Sequence, residues 1–196
     1  MRCLPTLVLS TATLFVLSSQ VKADVVVNFV ESGGNVLSSA SGSIDFGSIT
    51  PTSGIFSQTA RVAPAGADFN VGPAVVTPVD FYTDSSGTGP LSFGTGGTTN
   101  ADTGSGDFFG LSGGGIGISL FLPSGYASGT PIASASSYTG QSFTDLGITP
   151  GSYSYSAGPN TITLNVGAVA VPEPAGTSCM ILSSMIVFCV RRRRNR

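Results

Sequence analysis

Carboxylates are the groups in this chain with enough chemistry to matter. There is no histidine, which removes Ser-His-Asp and Cys-His nucleophile activation and histidine metal sites. Cys3, Cys179 and Cys189 lie in the first and last stretches. Between Asp24 and Ala170 Arg61 is the only basic residue. That middle region therefore offers no thiol nucleophile, no zinc-thiolate set, no Schiff-base lysine and no Ser-Lys dyad. Asp102-Thr103-Gly104-Ser105 has the spelling used by proton-sharing aspartate pairs in proteolysis. Such a pair needs two copies, each at the end of an apolar strand. The preceding Thr98-Thr99-Asn100-Ala101 is not apolar, and the motif occurs once. Glycoside cleavage needs two facing carboxyls, one of them held protonated. The single glutamate of the region, Glu31, sits beside a turn. Gly104-Ser105-Gly106-Asp107-Phe108 approximates one unit of a glycine-aspartate calcium roll, and Asp84, Asp102 and Asp107 are hard oxygen donors. A roll needs stacked units and only one is present. Asp102 and Asp107 are weak calcium candidates, better read as acceptors of turn hydrogen bonds. No metal or other cofactor is expected.

The charge balance narrows the partners. Asp24, Glu31, Asp45, Asp68, Asp80, Asp84, Asp102, Asp107 and Asp145 face Arg61 alone. The whole-chain net charge of −2 hides this, because Arg2, Lys22 and five arginines lie outside the region. An acidic, arginine-poor surface does not neutralise phosphates, so nucleic acid is excluded as a partner.

Elements that could position these residues are strands. Glycine, serine and threonine dominate, and apolar residues do not recur at helical spacing. Val25–Val30 is followed by the turn Ser32-Gly33-Gly34-Asn35, and Val36–Phe46 comes next. Ile55–Val62, Ala74–Tyr82, the brief Leu91–Phe93, Ile116–Leu122 and Ser136–Phe143 are further candidates. Pro78 demands an edge or a bulge. Thr95–Gly106 reads as a glycine-rich loop with little to bury. The last hairpin is the clearest: Tyr153 and Tyr155 alternate with serine, Gly158-Pro159-Asn160 turns, and Ile162, Leu164 and Val166 alternate with polar residues. Pro150-Gly151 has the make-up of a type II turn centre, and Pro123-Ser124-Gly125 that of a corner. Short strands separated by turns predict an all-β antiparallel β-sandwich, with a jelly roll as the alternative.

The two ends read as addresses. Arg2, the apolar Leu7–Leu17 and Val21-Lys22-Ala23 form a signal peptide, with cleavage expected after Ala23. Residues 24–170 are then the ectodomain. At the other end, Val171, Pro172, Glu173 and Pro174 precede an apolar stretch, Ala175–Val190, and then Arg191, Arg192, Arg193 and Arg194. Proline lacks the backbone donor that helix or sheet needs, so the motif is an extended spacer. A helix over about 175–190 spans ~24 Å at ~1.5 Å per residue. Snorkelling arginines make up the difference to a hydrocarbon core of ~30 Å. Flanking arginines stay cytoplasmic, which places the ectodomain outside.

This order of motif, span and basic end, over Val171–Arg196, resembles the PEP-CTERM sorting tail of exported proteins in Gram-negative bacteria. The resemblance implies recognition of Val171–Pro174 by an exosortase-type membrane protease that removes the anchor. A second resemblance covers roughly Phe93 to Gly167. It rests on Ser92-Phe93-Gly94, Gly106-Asp107-Phe108-Phe109-Gly110, Phe121–Tyr126, Ser128–Pro131 and Leu146–Tyr153, and is to a recurrent ectodomain of such proteins. That ectodomain implies no enzymatic activity. It commonly closes its hairpin with a tryptophan, whereas this chain has Ser156-Ala157-Gly158 there and no tryptophan. The expected function is that of a non-enzymatic exported protein, anchored in the inner membrane before processing and then at the cell surface or in an exopolysaccharide matrix. The alternative is a carbohydrate-binding module that uses Tyr126, Tyr138, Tyr153 and Tyr155 as aromatic platforms.

Overall fold

A computed structural model describes residues 24–47 and 49–167. The signal segment 1–23, the sorting motif Val171–Pro174, the span 175–190 and the arginines 191–194 lie outside the described residues. Among the described residues no helix is long and apolar enough to cross a membrane. The fold is all-β, with one 3₁₀ turn at Pro64–Gly66.

Thirteen strands follow in chain order. They are β1 (Asp24–Ser32), β2 (Asn35–Gly42), β3 (Thr50–Gln58), β4 (Arg61–Ala63), β5 (Asp68–Val71), β6 (Thr77–Gly89) and β7 (Thr99–Asn100). The rest are β8 (Thr103–Gly106), β9 (Phe109–Ser112), β10 (Gly115–Pro123), β11 (Ile132–Tyr138), β12 (Gly151–Ala157) and β13 (Asn160–Val166).

Alternation of small or branched residues builds these strands. Val25, Val27 and Phe29 of β1 face the core, as do Ile118, Leu120 and Leu122 of β10 and Ile162, Leu164 and Val166 of β13. Their neighbours point outward, as a period of two requires. The expected sandwich of two separate sheets is corrected in one respect. The strands form a single hydrogen-bonded path, β7-β4-β5-β9-β10-β6-β12-β13-β1-β2-β11-β8, with β3 branching from β6. The path is not wholly antiparallel either. β1 and β13 run parallel, from Asp24 beside Thr161 to Phe29 beside Val166.

The path curls until its ends meet. β7 pairs with β4, and β8 pairs with β11. Only Ala101 and Asp102 separate β7 from β8. Ala101 N–H donates to Ala60 O at 2.9 Å, and Asp102 N–H donates to Ser137 O at 2.9 Å. Thr95–Gly106 buries little, as its composition suggests, but its second half is not a loop: it holds β7, β8 and the seam of the curled sheet. Behind the seam, the buried Ser136 hydroxyl accepts from Gly72 N at 2.8 Å and donates to Gly72 O at 2.9 Å. Gly104 belongs here because a Cβ on it would stand 1.9 Å from Gly72 O.

One core fills the curl. Phe69 of β5 meets Phe93 at 6.0 Å, Phe109 at 6.4 Å and Tyr155 at 6.1 Å between ring centroids. Phe93 is 1% exposed although Leu91–Phe93 is not a strand. A second small cluster lies apart from this core. It joins Phe56, Val79, Phe81, Phe108 and Phe121, with Phe81 stacked on Phe121 at 5.1 Å.

Two turn expectations separate. Pro123–Tyr126 is a type II turn: Tyr126 N–H donates to Pro123 O at 3.0 Å and Gly125 has φ +76°. Pro150-Gly151 is not such a centre, because Gly151 is already the first residue of β12. Pro78 sits where β6 has β3 on one side and β10 has not yet begun its pairing, so its missing N–H breaks no ladder on that side.

Gly104→Ala is expected to destabilise the domain by about 1–3 kcal/mol, because backbone rather than a flexible side chain must move to admit the methyl. Gly97 is the control, since a Cβ added there would have nothing within 4 Å. Gly97→Ala should be neutral within about 0.5 kcal/mol. Urea unfolding of the two variants side by side checks the contrast.

Candidate functional site

All nine acids among the described residues accept hydrogen bonds from the scaffold, and eight of them take a backbone N–H. The ninth, Asp68, pairs instead with Arg61 Nη2 at 2.9 Å. Most of the backbone bonds join residues far apart in sequence. Thr161 N–H donates to Asp24 Oδ1 at 3.1 Å, Phe143 N–H donates to Glu31 Oε1, and Gly125 N–H donates to Asp80 Oδ2 at 2.8 Å.

Asp102 and Asp107 show the principle best. They flank β8, the four-residue strand that closes the sheet. Thr139 N–H donates to Asp102 Oδ2 at 2.6 Å, and Ala133 N–H donates to Asp107 Oδ2 at 3.0 Å. Each carboxylate thus adds one bond beyond an end of the β8–β11 ladder. One oxygen of each is thus taken by a backbone amide, the bond a turn acceptor makes. Asp84 lies on another strand, and among the described residues no three His, Cys, Asp or Glu side chains gather as a metal would need. Asp102-Thr103-Gly104-Ser105 is this same closing strand and not a proton-sharing pair.

Asp84, read from the sequence as an oxygen donor, and Asn160, read as part of a turn, are hydrogen-bond hubs. Asp84 is 7% exposed and sits where the β3 pairing with β6 ends and the β12 pairing begins. Its Oδ1 accepts from Ser86 Oγ at 2.6 Å and Ser86 N at 2.9 Å, and its Oδ2 accepts from Gly158 N at 2.6 Å. Burial pushes this carboxyl up, but the bonds from Ser86, Gly158 and Gly87 outweigh it and hold it below the ordinary carboxylate range. Asn160 is 2% exposed and copies a strand partner: its Oδ1 accepts from Asp45 N at 2.7 Å, while its Nδ2 donates to Asp45 O at 2.7 Å and Ala157 O at 2.8 Å. Both hubs bind the Gly158-Pro159 turn to segments far away in sequence, Asp84 of β6 and Asp45 between β2 and β3. The readable signal was Asp84-x-Ser86, an acceptor two residues before an amide.

Asp145 is likewise held low, first by the Ser142 hydroxyl and then by the Ser142 amide. A general acid needs the reverse, a carboxyl raised toward neutral pH.

The tyrosine platform is corrected. Tyr138 is 0% exposed, Tyr155 1% and Tyr126 9%. Tyr126 OH accepts from Ile44 N at 2.9 Å and donates to Thr130 O. Burial raises the hydroxyls of Tyr138 and Tyr155 well above the usual phenol range. The half-buried Tyr153 has its hydroxyl on Thr149 O at 2.8 Å. Tyr126, Tyr138 and Tyr155 are therefore not exposed platforms. Phe121, stacked on Phe81, is 8% exposed.

Two depressions mark the surface. A groove of about 580 Å³ lies over β1, β2, β11 and β8. A polar cleft of about 280 Å³ between Glu31, Asn35, Gly140, Ser142 and Asp145 lies at the end of the sheet where β13 finishes. No protein-family model, curated protein or solved structure matches the chain.

Acid should weaken this scaffold. A carboxyl held low in the folded state contributes stability that is full above its unfolded value, near pH 4, and is lost as pH falls through the lower folded value. Asp84→Asn should remove part of that dependence and cost about 1–3 kcal/mol at pH 7, because one acceptor for buried amides is replaced by a donor. Denaturation midpoints at pH 7 and pH 3 for both proteins check this, and Asn160→Ala should lower the midpoint at both pH values alike.

Proposed function

We propose that this chain is an exported, non-enzymatic surface or extracellular-matrix protein whose sheet domain is carried to the outside between two addressing segments. The observation that supports this reading most is the engagement of the carboxylates. In a domain without histidine, lysine or cysteine, the groups left for acid–base work are carboxyls, and all nine accept hydrogen bonds that hold strands or turns. Such a domain supplies a shape and a surface rather than a reagent.

The positions of the ends fit the same reading. Gly167 N–H donates to Phe29 O at 2.9 Å, and Val171 follows four residues later. Because β1 and β13 are parallel, Asp24 and Gly167 leave at opposite poles, about 20 Å apart at ~3.3 Å per residue. A chain held through 175–190 would therefore present the Asp24 pole away from the bilayer. In this proposal Val171, Pro172, Glu173 and Pro174 are the recognition element for an exosortase-type protease. Arg191–Arg194 stop transfer, and the processed domain joins the cell surface or an exopolysaccharide matrix. The reading of the tail rests on its motif order alone.

Intact mass spectrometry of the protein from the cells that export it should give a start at Asp24 and an end between Val171 and Pro174. Glu173→Ala should leave Arg191–Arg194 on the membrane-bound chain. Full-length protein dissolved in the cytosol would overturn the proposal.

A further inference from the structure

The outer face of β12, β13, β1, β2, β11 and β8 differs from the rest of the surface. Register places Ser152, Asn165, Asn28, Ser39, Ala135 and Ser105 in one row across these six strands. The row is internally bonded, with Ser152 Oγ donating to Asn165 Oδ1 at 3.0 Å and Asn165 Nδ2 donating to Asn28 Oδ1 at 3.2 Å. The neighbouring rows, through Val26 and Val30, add no charged side chain between β12 and β11. The nine carboxylates of the domain stand at strand ends, turns and other faces, against Arg61 as the one base. Leu37 is 42% exposed and stands beside Val30 across the β1–β2 ladder, which makes an apolar ridge. Beside that ridge lies the groove of about 580 Å³, floored by Ser39, Ala135, Ser137 and Gly104.

We propose that this face is a self-association surface on which two copies pair about a two-fold axis, Leu37 of each seated in the groove of the other. Three observations select a second copy as the occupant. A two-fold contact must be self-complementary, and a ridge beside an unfilled groove is so. Two domains each carrying a formal charge of −8, nine acids against one base, repel one another, so a shared interface must exclude carboxylates, as this one does. Side-chain amides and hydroxyls both donate and accept, so identical rows can bond to each other without charge. The size sets the strength. Six strands at ~4.8 Å and residues 26–30 at ~3.3 Å give roughly 500 Å² per copy, below the ~800 Å² of a standard stable interface. The pairing is therefore weak, concentration-dependent and strengthened by salt, which screens the repulsion.

Sedimentation of the detergent-solubilised full chain tests this. The wild-type protein should move from one-fold to two-fold protein mass with concentration, at lower concentration in 0.5 M than in 0.05 M salt. Ala135→Asp should hold it at one-fold mass, while Ser85→Asp, an equal charge on exposed β6, should behave as wild type. Leu37→Ser should weaken pairing without changing its salt dependence. A wild-type protein at one-fold mass throughout, or an Ala135→Asp variant that pairs like Ser85→Asp, would overturn the proposal. So would a one-fold wild-type protein that retains a neutral polysaccharide which Ala135→Asp releases, for the face would then be a glycan site.

Discussion

The crossing at Ala101-Asp102 is the constraint on which this fold depends. Two residues carry the chain from one end of the strand path to the other, and each makes a backbone bond to a different end. Without that crossing, β4 and β11 would present raw edges, and the core between the two halves would lie open. The approach is close enough to dictate composition. Gly104 passes the Gly72 carbonyl at a distance that excludes any side chain, and Ser136 bridges both polar groups of Gly72 from within. Glycine and serine are therefore tolerances of the seam as much as signs of flexibility.

Carboxylates do the complementary work. A sheet this curved leaves amides beyond the ends of its ladders, and a buried amide without an acceptor is destabilising. Short aspartate side chains meet those amides at the ends of β8, at the Gly158-Pro159 turn and at the Pro123–Tyr126 turn. Charge-assisted bonds of this kind are stronger than neutral ones, which suits a domain that has no disulfide. The acidity of the chain thus has a structural origin. It also leaves the domain strongly negative, so its neutral sheet face is where contact with another molecule meets least electrostatic opposition.

Much of the fold was legible where one face of a strand meets water. β1, β10, β12 and β13 alternate cleanly, and their positions follow from that period. β5 and β9 escaped because nearly every residue in them is buried: Phe69-Asn70-Val71 and Phe109-Gly110-Leu111 show no alternation. The Thr95–Gly106 region was misjudged because what it packs against, Gly72 and β11, is more than twenty residues away. Tyr126, Tyr138 and Tyr155 could be placed in strands and turns from the sequence, but not on a face, since a tyrosine serves equally as an exposed ring or a core ring. The wider site fared the same way. Asp102 and Asp107 were recognisable as turn acceptors, whereas the Asp84 and Asn160 hubs join positions 74 and 115 residues apart.

By itself the sequence determined the chemistry that is missing, the all-β class, the acidic balance and the order of the segments. These depend on residue identity and on spacing within a few positions. Only the tertiary structure decided that the strands form one curled path, that β1 lies parallel to β13, that Tyr126, Tyr138 and Tyr155 are interior and that the carboxylates accept hydrogen bonds from distant amides. The physical reason is range. Each of these outcomes depends on which distant backbone group comes within hydrogen-bonding reach, and that is fixed only when the whole sheet has closed around a single core.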